Sequence, residues 1–75
     1  MSELIVINST FIKLDSLLKL GTLVMSGGEA KQAIIEGQVW VNGQVVIRRG
    51  RKLFRGDTVR YAGSVCVLVL EQTDH

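Results

Sequence analysis

The spacing of apolar residues changes several times along the chain and divides it into short elements. Residues 4–7 are apolar and mostly β-branched, which predicts a first strand. Leu14, Leu17 and Leu18 then follow the i, i+3, i+4 spacing that places side chains on one face of a helix. Gly21 follows this predicted helix directly, at a position where glycine is the most common residue. The first part of the chain therefore predicts a strand followed by a short helix over 14–20.

A second helix is predicted by its start signal. Ser26 and Glu29 have the spacing of a capping box, in which the serine oxygen and the glutamate carboxylate each accept a hydrogen bond from a free backbone N–H. The apolar stripe that follows at helical spacing consists of Ala30, Ala33 and Ile34. Gly37 is placed to end this helix. We expect a helix over 28–36 whose small side chains allow close packing against the first helix.

Beyond this second helix, the pattern changes from helical to alternating. Residues 38–41 alternate polar or aromatic with aliphatic side chains, and residues 44–47 form a second run. Between them, Asn42 and Gly43 both tolerate the positive φ of a type I′ turn, so the segment predicts a β-hairpin. A further turn and two strands are predicted at 55–57, 58–61 and 65–70. The pattern predicts an α+β fold, with two short packed helices against a small, mostly antiparallel β-sheet.

Length and composition limit what such a fold can do. The length of 75 residues predicts a single domain, residues 1–75. Hydrophobic residues make up 47%, too many for a disordered chain. The sequence contains no apolar run of about 18 residues. Its N-terminal segment has an acidic residue where a signal peptide needs basic ones. We therefore expect a cytoplasmic protein with no membrane partner.

Nothing in the sequence predicts an enzyme. The chain has one cysteine, Cys66, inside an apolar run, and one histidine, His75, at its last position. Structural roles at a helix start, a cap, the surface and a turn explain Asp15, Glu29, Glu36 and Asp57. No nucleophile, base and orienting group can be combined from these residues. We expect no catalysis, no cofactor, no metal and no small-molecule substrate.

Basic residues are concentrated in one short segment. The basic cluster consists of Arg48, Arg49, Arg51 and Lys52. With Arg55 and Arg60 it gives residues 44–61 a net charge of +5, although the whole chain carries only +2. Apolar residues on both sides indicate that a folded scaffold presents the cluster, whose own residues show no evident packing role. A concentrated positive field is typical of a module that binds a polyanion; a solvated loop is the alternative.

Four segments, most of them within a motif core of about residues 13–57, carry a family resemblance. They are Lys13-Leu14-Asp15, Ser26 to Lys31, Ile34-x-x-Gly37-x-Val39-x-Val41-Asn42-Gly43, and Gly56-Asp57-x-Val59. Together they resemble the S-four RNA-binding domain, which is named for protein four of the small ribosomal subunit and is also called the alpha-L motif. Three segments resemble small stand-alone bacterial members of the YbcJ type more closely: residues 18–20, 26–31 and 48–53. One departure is that Gly27-Gly28 stand where the commoner family form has an arginine after the serine.

The resemblance implies a domain that binds structured RNA, with ribosomal RNA or a ribosomal subunit as the leading target. The second predicted helix is labelled α2. Residues Ser26, Gly27 and Gly28, the α2 entrance, stand at its positive end, where backbone N–H groups bind phosphate. The alternative is that the two glycines only make a tight turn behind an ordinary serine cap. The full set of candidate RNA contacts is Ser26, Gly27, Gly28, Lys31, Trp40, Arg48, Arg49, Arg51, Lys52 and Arg55.

Aromatic residues leave two interpretations open. Trp40 alternates with Val39 and Val41, so it is predicted to face away from the core. Its ring could stack on an unpaired base or cover the sheet edge against the N-terminal segment. Phe54 and Tyr61 are predicted to be core residues. A different function for the same surface is a protein–protein adaptor that docks its basic face and Trp40 on an acidic partner.

Overall fold

The computed structural model describes the backbone of residues 2–7, 9–61 and 65–71, and the side chains of 5–7 and 9–61. The elements are β1 (Ser2–Ile7), β2 (Phe11–Lys13), α1 (Leu14–Leu20), α2 (Gly27–Ile35), β3 (Val39–Val41), β4 (Gln44–Val45), β5 (Lys52–Phe54), β6 (Thr58–Tyr61) and β7 (Val65–Glu71). The predicted α+β class, with its two helices, its first strand, its hairpin and its last two strands, is confirmed. His75 lies outside the described segments, and for Cys66 only the backbone is described.

Most strands join one five-stranded sheet in the order β1-β7-β6-β3-β4. Strand β1 runs parallel to β7, and the other three pairs are antiparallel. A parallel pair needs a long connection between its strands. Here both helices and the central strands lie between β1 and β7 in the chain.

A second, two-stranded sheet was not predicted from the sequence. Strands β2 and β5 pair antiparallel, with Phe11 opposite Phe54 and Lys13 opposite Lys52. Each strand has only three residues, fewer than the four to eight over which alternation becomes a signal. This small sheet fixes the end of the basic cluster beside the start of α1.

The core lies between the two helices and the sheets. Its fully buried side chains include Leu14, Leu17, Leu18, Ala30, Ile34, Val39, Leu53 and Val59. The predicted stripe on α2 is buried, and α1 packs against it. Tyr61 packs partly buried against this core, as predicted.

Helix α1 ends at Leu20, as predicted, but Gly21 is not the left-handed residue that follows it. Gly21 has φ −80°, and it is Thr22 that takes the left-handed conformation with φ +56°. The N–H of Leu23 reaches the carbonyl oxygen of Leu18 at 2.9 Å, which closes a Schellman motif. A Cβ at Gly21 would lie 3.5 Å from Cδ1 of Ile5, which is an ordinary van der Waals contact, so neither the backbone nor the space requires glycine there.

The other predicted turns have the expected backbone. Gly37 ends α2 with φ +76°. Asn42 and Gly43 have φ +53° and +84°, the signs required by a type I′ turn. Strands β3 and β4 therefore pair antiparallel, with Val41 opposite Gln44. Strand β4 is shorter than predicted, since it stops at residue 45 instead of 47.

Candidate nucleic-acid interface

The backbone of the basic cluster is fastened to the start of α1. The N–H of Leu14 donates to the carbonyl oxygen of Arg51 at 2.9 Å, and the N–H of Asp15 donates to that of Arg49 at 3.2 Å. The first N–H groups of a helix lack partners within the helix, and the N-cap residue Lys13 makes no side-chain cap. The expectation that this loop has no packing role is therefore wrong, because its carbonyl groups cap α1.

Side chains of the cluster differ in exposure. Arg48, Arg49 and Lys52 are exposed, as is Arg55 in the next turn. Arg51 is partly buried, and its Nη1 is buried without a hydrogen-bond partner among the described residues. Arg51 is therefore held against the protein, while the other cations extend into solvent.

Three of the four cluster side chains meet at one concave surface, the cluster groove. It has a volume of about 510 Å³ and is lined by Arg48, Gly50, Arg51, Lys52, Phe54 and Asp57. Neither Arg49 nor Arg55 lines it. The groove thus brings cationic side chains together with an aromatic ring.

That aromatic ring corrects a sequence prediction. Phe54 is 47% exposed and is not a core residue. In β5 only Leu53 faces the core, so alternation turns Lys52 and Phe54 outward. The rings of Phe54 and Phe11 lie 6.2 Å apart at 48°, and Nζ of Lys52 lies 4.8 Å from the centroid of Phe11. The signal that was missed is the alternation of residues 52–54, which is too short to be recognised without its partner β2.

Two turns beside the groove are hydrogen-bonded to each other. The carboxylate of Asp57 accepts from the backbone N–H of Phe54 at 2.8 Å and from Nδ2 of Asn42 at 3.1 Å. Oδ1 of Asn42 accepts from the N–H of Thr58 at 3.0 Å. Asn42 and Asp57 therefore share a structural role, because their hydrogen bonds hold the hairpin turn against the turn at 55–57.

At the α2 entrance, the capping box forms with one difference. Oγ of Ser26 accepts from the N–H of Glu29 at 3.2 Å, as predicted. The Glu29 carboxylate accepts from the N–H of Met25 at 2.6 Å, one residue before the position that the motif specifies. Gly27 and Gly28 are exposed, and a Cβ at either would meet no atom closer than 3.8 Å. The entrance is sterically open, and a carboxylate stands beside it.

Two other candidates lie on separate elements. Lys31 is exposed on α2. Trp40 is partly buried between the buried Val39 and Val41 and faces the other side of the sheet, as predicted. Its ring lies 4.9 Å from the guanidinium carbon of Arg60, a cation–π contact that the sequence did not reveal. The alternative contact of Trp40 with the N-terminal segment is wrong, because β1 forms the opposite edge of the sheet.

Among the helices of the described segments, none combines the length and the apolar character that a bilayer crossing requires. Over the same segments, histidine, cysteine, aspartate and glutamate side chains do not gather in groups of three or more that could hold a metal ion.

Known proteins align with most of this chain. The S4 domain family matches residues 5–69. The probable ribosome maturation protein RlbA of Bacillus subtilis is 43% identical over 63 residues, which are 84% of this chain and 89% of RlbA. YbcJ of Escherichia coli is 48% identical over 52 residues, which are 69% of this chain and 74% of YbcJ.

A solved structure agrees with these sequence relatives. The solution structure of Escherichia coli YbcJ, described as revealing an αL motif involved in RNA binding, superposes with a TM-score of 0.69 at 40% identity. The alignment covers 89% of this chain and 85% of that one. Most of the chain thus has a counterpart in a known fold, and the chain belongs to the S4 domain family.

Proposed function

We propose that this chain is a non-catalytic RNA-binding protein of the bacterial cytoplasm that recognises structured RNA, with ribosomal RNA as its target. The observation that carries the proposal is the cluster groove, where three cationic side chains and an exposed aromatic ring surround one concavity. Two relatives support it: YbcJ is described as having a motif involved in RNA binding, and RlbA is named for ribosome maturation.

Phosphate contacts supply most of the affinity in this mechanism. Exposed Arg48, Arg49, Lys52 and Arg55 can reach phosphate oxygens, and guanidinium groups suit them because their N–H groups can donate in pairs. Such contacts position a protein on RNA without reading its bases. Specificity then comes from the shape of the RNA, because the deep major groove of an RNA helix is closed to side chains.

The α2 entrance and Lys31 form a second proposed phosphate contact. Gly27 and Gly28 belong to the first helical turn, whose N–H groups have no intrahelical acceptor. Their missing side chains leave room for a phosphate to approach the backbone. The Glu29 carboxylate beside this entrance opposes an anion, so we assign it a smaller share of the affinity than the basic cluster.

A protein adaptor would use the same surface differently. In that interpretation Trp40 is the anchor, but the Arg60 guanidinium already lies over its ring, so an acidic partner would have to displace it. The cluster groove offers RNA a site that needs no such displacement.

Capture from cell lysate with and without ribonuclease tests the proposed function. The tagged chain is incubated with bacterial lysate, and the bound RNA and proteins are identified. We expect ribosomal RNA in the untreated sample and loss of the bound ribosomal proteins after ribonuclease. Protein partners that remain bound after complete RNA digestion would support the adaptor and contradict RNA binding.

A further inference from the structure

We infer that the cluster groove holds a single unpaired nucleotide, so that the preferred RNA contains a bulged or looped base beside a helical stem. This inference rests on the proposed function and names the feature that the same surface recognises. It is carried by the size of the groove, the unpartnered nitrogen of Arg51 and the exposed ring of Phe54.

The groove has the size of a small-ligand site. Its volume of about 510 Å³ falls within the range of about 300 to 1,000 Å³ that is usual for such sites. Gly50 forms part of the lining, and a Cβ added there would meet no protein atom within 4 Å. The space above Gly50 is therefore open to a ligand.

Arg51 presents a donor that needs an acceptor. Its Nη1 is buried and has no hydrogen-bond partner within the part of the chain that the structure describes. Buried donors in folded proteins normally have partners, and a phosphate oxygen is a strong acceptor for a guanidinium. The backbone at this position is fixed, because the carbonyl oxygen of Arg51 accepts from the N–H of Leu14. A turn of the Arg51 guanidinium toward the groove would let a phosphate complete its bonding while the loop backbone stays in place.

Phe54 supplies a surface for a base. Its ring is half exposed and rests against Phe11, and its backbone N–H is held by Asp57. The Lys52 ammonium lies over Phe11. Bases that leave their helix commonly stack on aromatic side chains, whereas bases inside a duplex are already stacked and cannot. A ring placed beside phosphate-binding cations therefore favours an extruded nucleotide over a continuous duplex.

Asp57 does not prevent this binding. Both of its carboxylate oxygens accept hydrogen bonds from the protein, one from Asn42 and one from Phe54. The carboxylate is therefore engaged by the two turns. The groove lining also contains three cationic side chains against this one carboxylate.

Three two-stranded RNAs with the same stem and no terminal loop test the inference. One stem is fully paired, one carries a single-nucleotide bulge, and one carries an abasic residue at the bulge. The abasic RNA has the same break in its backbone but no base, so it separates stacking from shape. Fluorescence anisotropy gives the Kd of each RNA for the wild-type chain, for Phe54→Leu and for Gly50→Val.

We expect the wild type to bind the bulged RNA at least about fivefold more tightly than the abasic one, the lower end of what stacking on an aromatic ring contributes. Phe54→Leu should bring the Kd values of the bulged and the abasic RNA together, while the salt dependence of affinity stays unchanged. Gly50→Val should do the same without a change of charge. The thermal unfolding midpoint of both variants confirms that they are folded.

The possible results separate the inference from the proposed function. Equal Kd values for bulged and abasic RNA in the wild type would overturn the inference and leave general RNA binding standing. A Phe54→Leu variant that weakens all three RNAs equally would overturn it as well. Absence of binding to all three of these RNAs and to ribosomal RNA fragments would contradict the proposed function itself.

Discussion

The carbonyl oxygen of Arg51 accepts a hydrogen bond of 2.9 Å from the N–H of Leu14. The loop that carries the basic cluster therefore also caps helix α1, which has no side-chain cap of its own. Because the helix fixes the loop, the cationic side chains are presented by a defined backbone. This costs less conformational entropy on binding than a free basic segment would.

The first prediction concerns the buried nitrogen of Arg51. Arg51→Met keeps an unbranched apolar stem and removes the guanidinium, whose buried Nη1 has no partner among the described residues. The free energy of unfolding should stay the same or rise by up to about 1 kcal/mol, because an unpaired buried polar group is destabilising. RNA affinity should fall. Chemical denaturation and RNA titration measure the two effects.

Arg48→Met is the matched control for this variant, since Arg48 lines the same groove but is exposed. Its unfolding free energy should not change. Destabilisation of Arg51→Met by more than about 1 kcal/mol, with the control unaffected, would mean that the guanidinium stabilises the free protein.

The second prediction concerns the end of α1. Thr22 has φ +56°, a conformation that costs a residue with a Cβ about 1–2 kcal/mol. Thr22→Gly and Thr22→Ala both remove the hydroxyl that donates to the Gly21 carbonyl at 2.6 Å, so their difference isolates the backbone. Glycine should leave the protein more stable than alanine by about 1 kcal/mol, after allowance for its more flexible unfolded chain. Alanine equal to or better than glycine by thermal denaturation would argue against a left-handed Thr22.

Some elements of the fold could be predicted from the sequence and others could not. Helix α1, which has leucines at helical spacing, and the hairpin, which has an Asn42-Gly43 turn, were predicted with nearly the observed bounds. The second sheet was not, because its strands of three residues become recognisable only when Phe11 and Phe54 meet across the fold. The capping of α1 by Arg51 is likewise a contact between distant parts of the chain.

The sequence was sufficient to predict the cationic residues of the candidate site, but not how they are arranged around a groove. A local charge count is sufficient to find the basic cluster, whereas the groove depends on how β5 alternates. Phe54 was therefore assigned to the core although it is half exposed. Arg60 was not singled out because its position over Trp40 depends on the pairing of β3 with β6.

The third prediction concerns the α2 entrance. Gly28→Val adds a branched side chain where a Cβ would meet only Oγ of Ser26, at 3.9 Å, so the protein should remain folded. If RNA phosphate approaches this backbone, affinity should fall several-fold. Gly28→Ala, with a smaller side chain, should lose less. Unchanged affinity in folded Gly28→Val would remove the α2 entrance from the proposed interface.

The most direct test of RNA binding by the basic cluster is the salt dependence of affinity. Each phosphate contact contributes a log–log slope of about −0.7 on a single strand and about −0.9 on a duplex. Arg48 and Arg49 are exposed, and the backbone contacts of the loop do not require their side chains. Replacing both with Gln should therefore flatten the slope by about 1.4 to 1.8, while replacing both with Lys, which keeps the charges, should preserve most of it. The measurement is titration of wild type and both double variants against hairpin and ribosomal RNA fragments at several salt concentrations. A Gln variant with the wild-type slope would show that Arg48 and Arg49 make no phosphate contacts and would contradict the account.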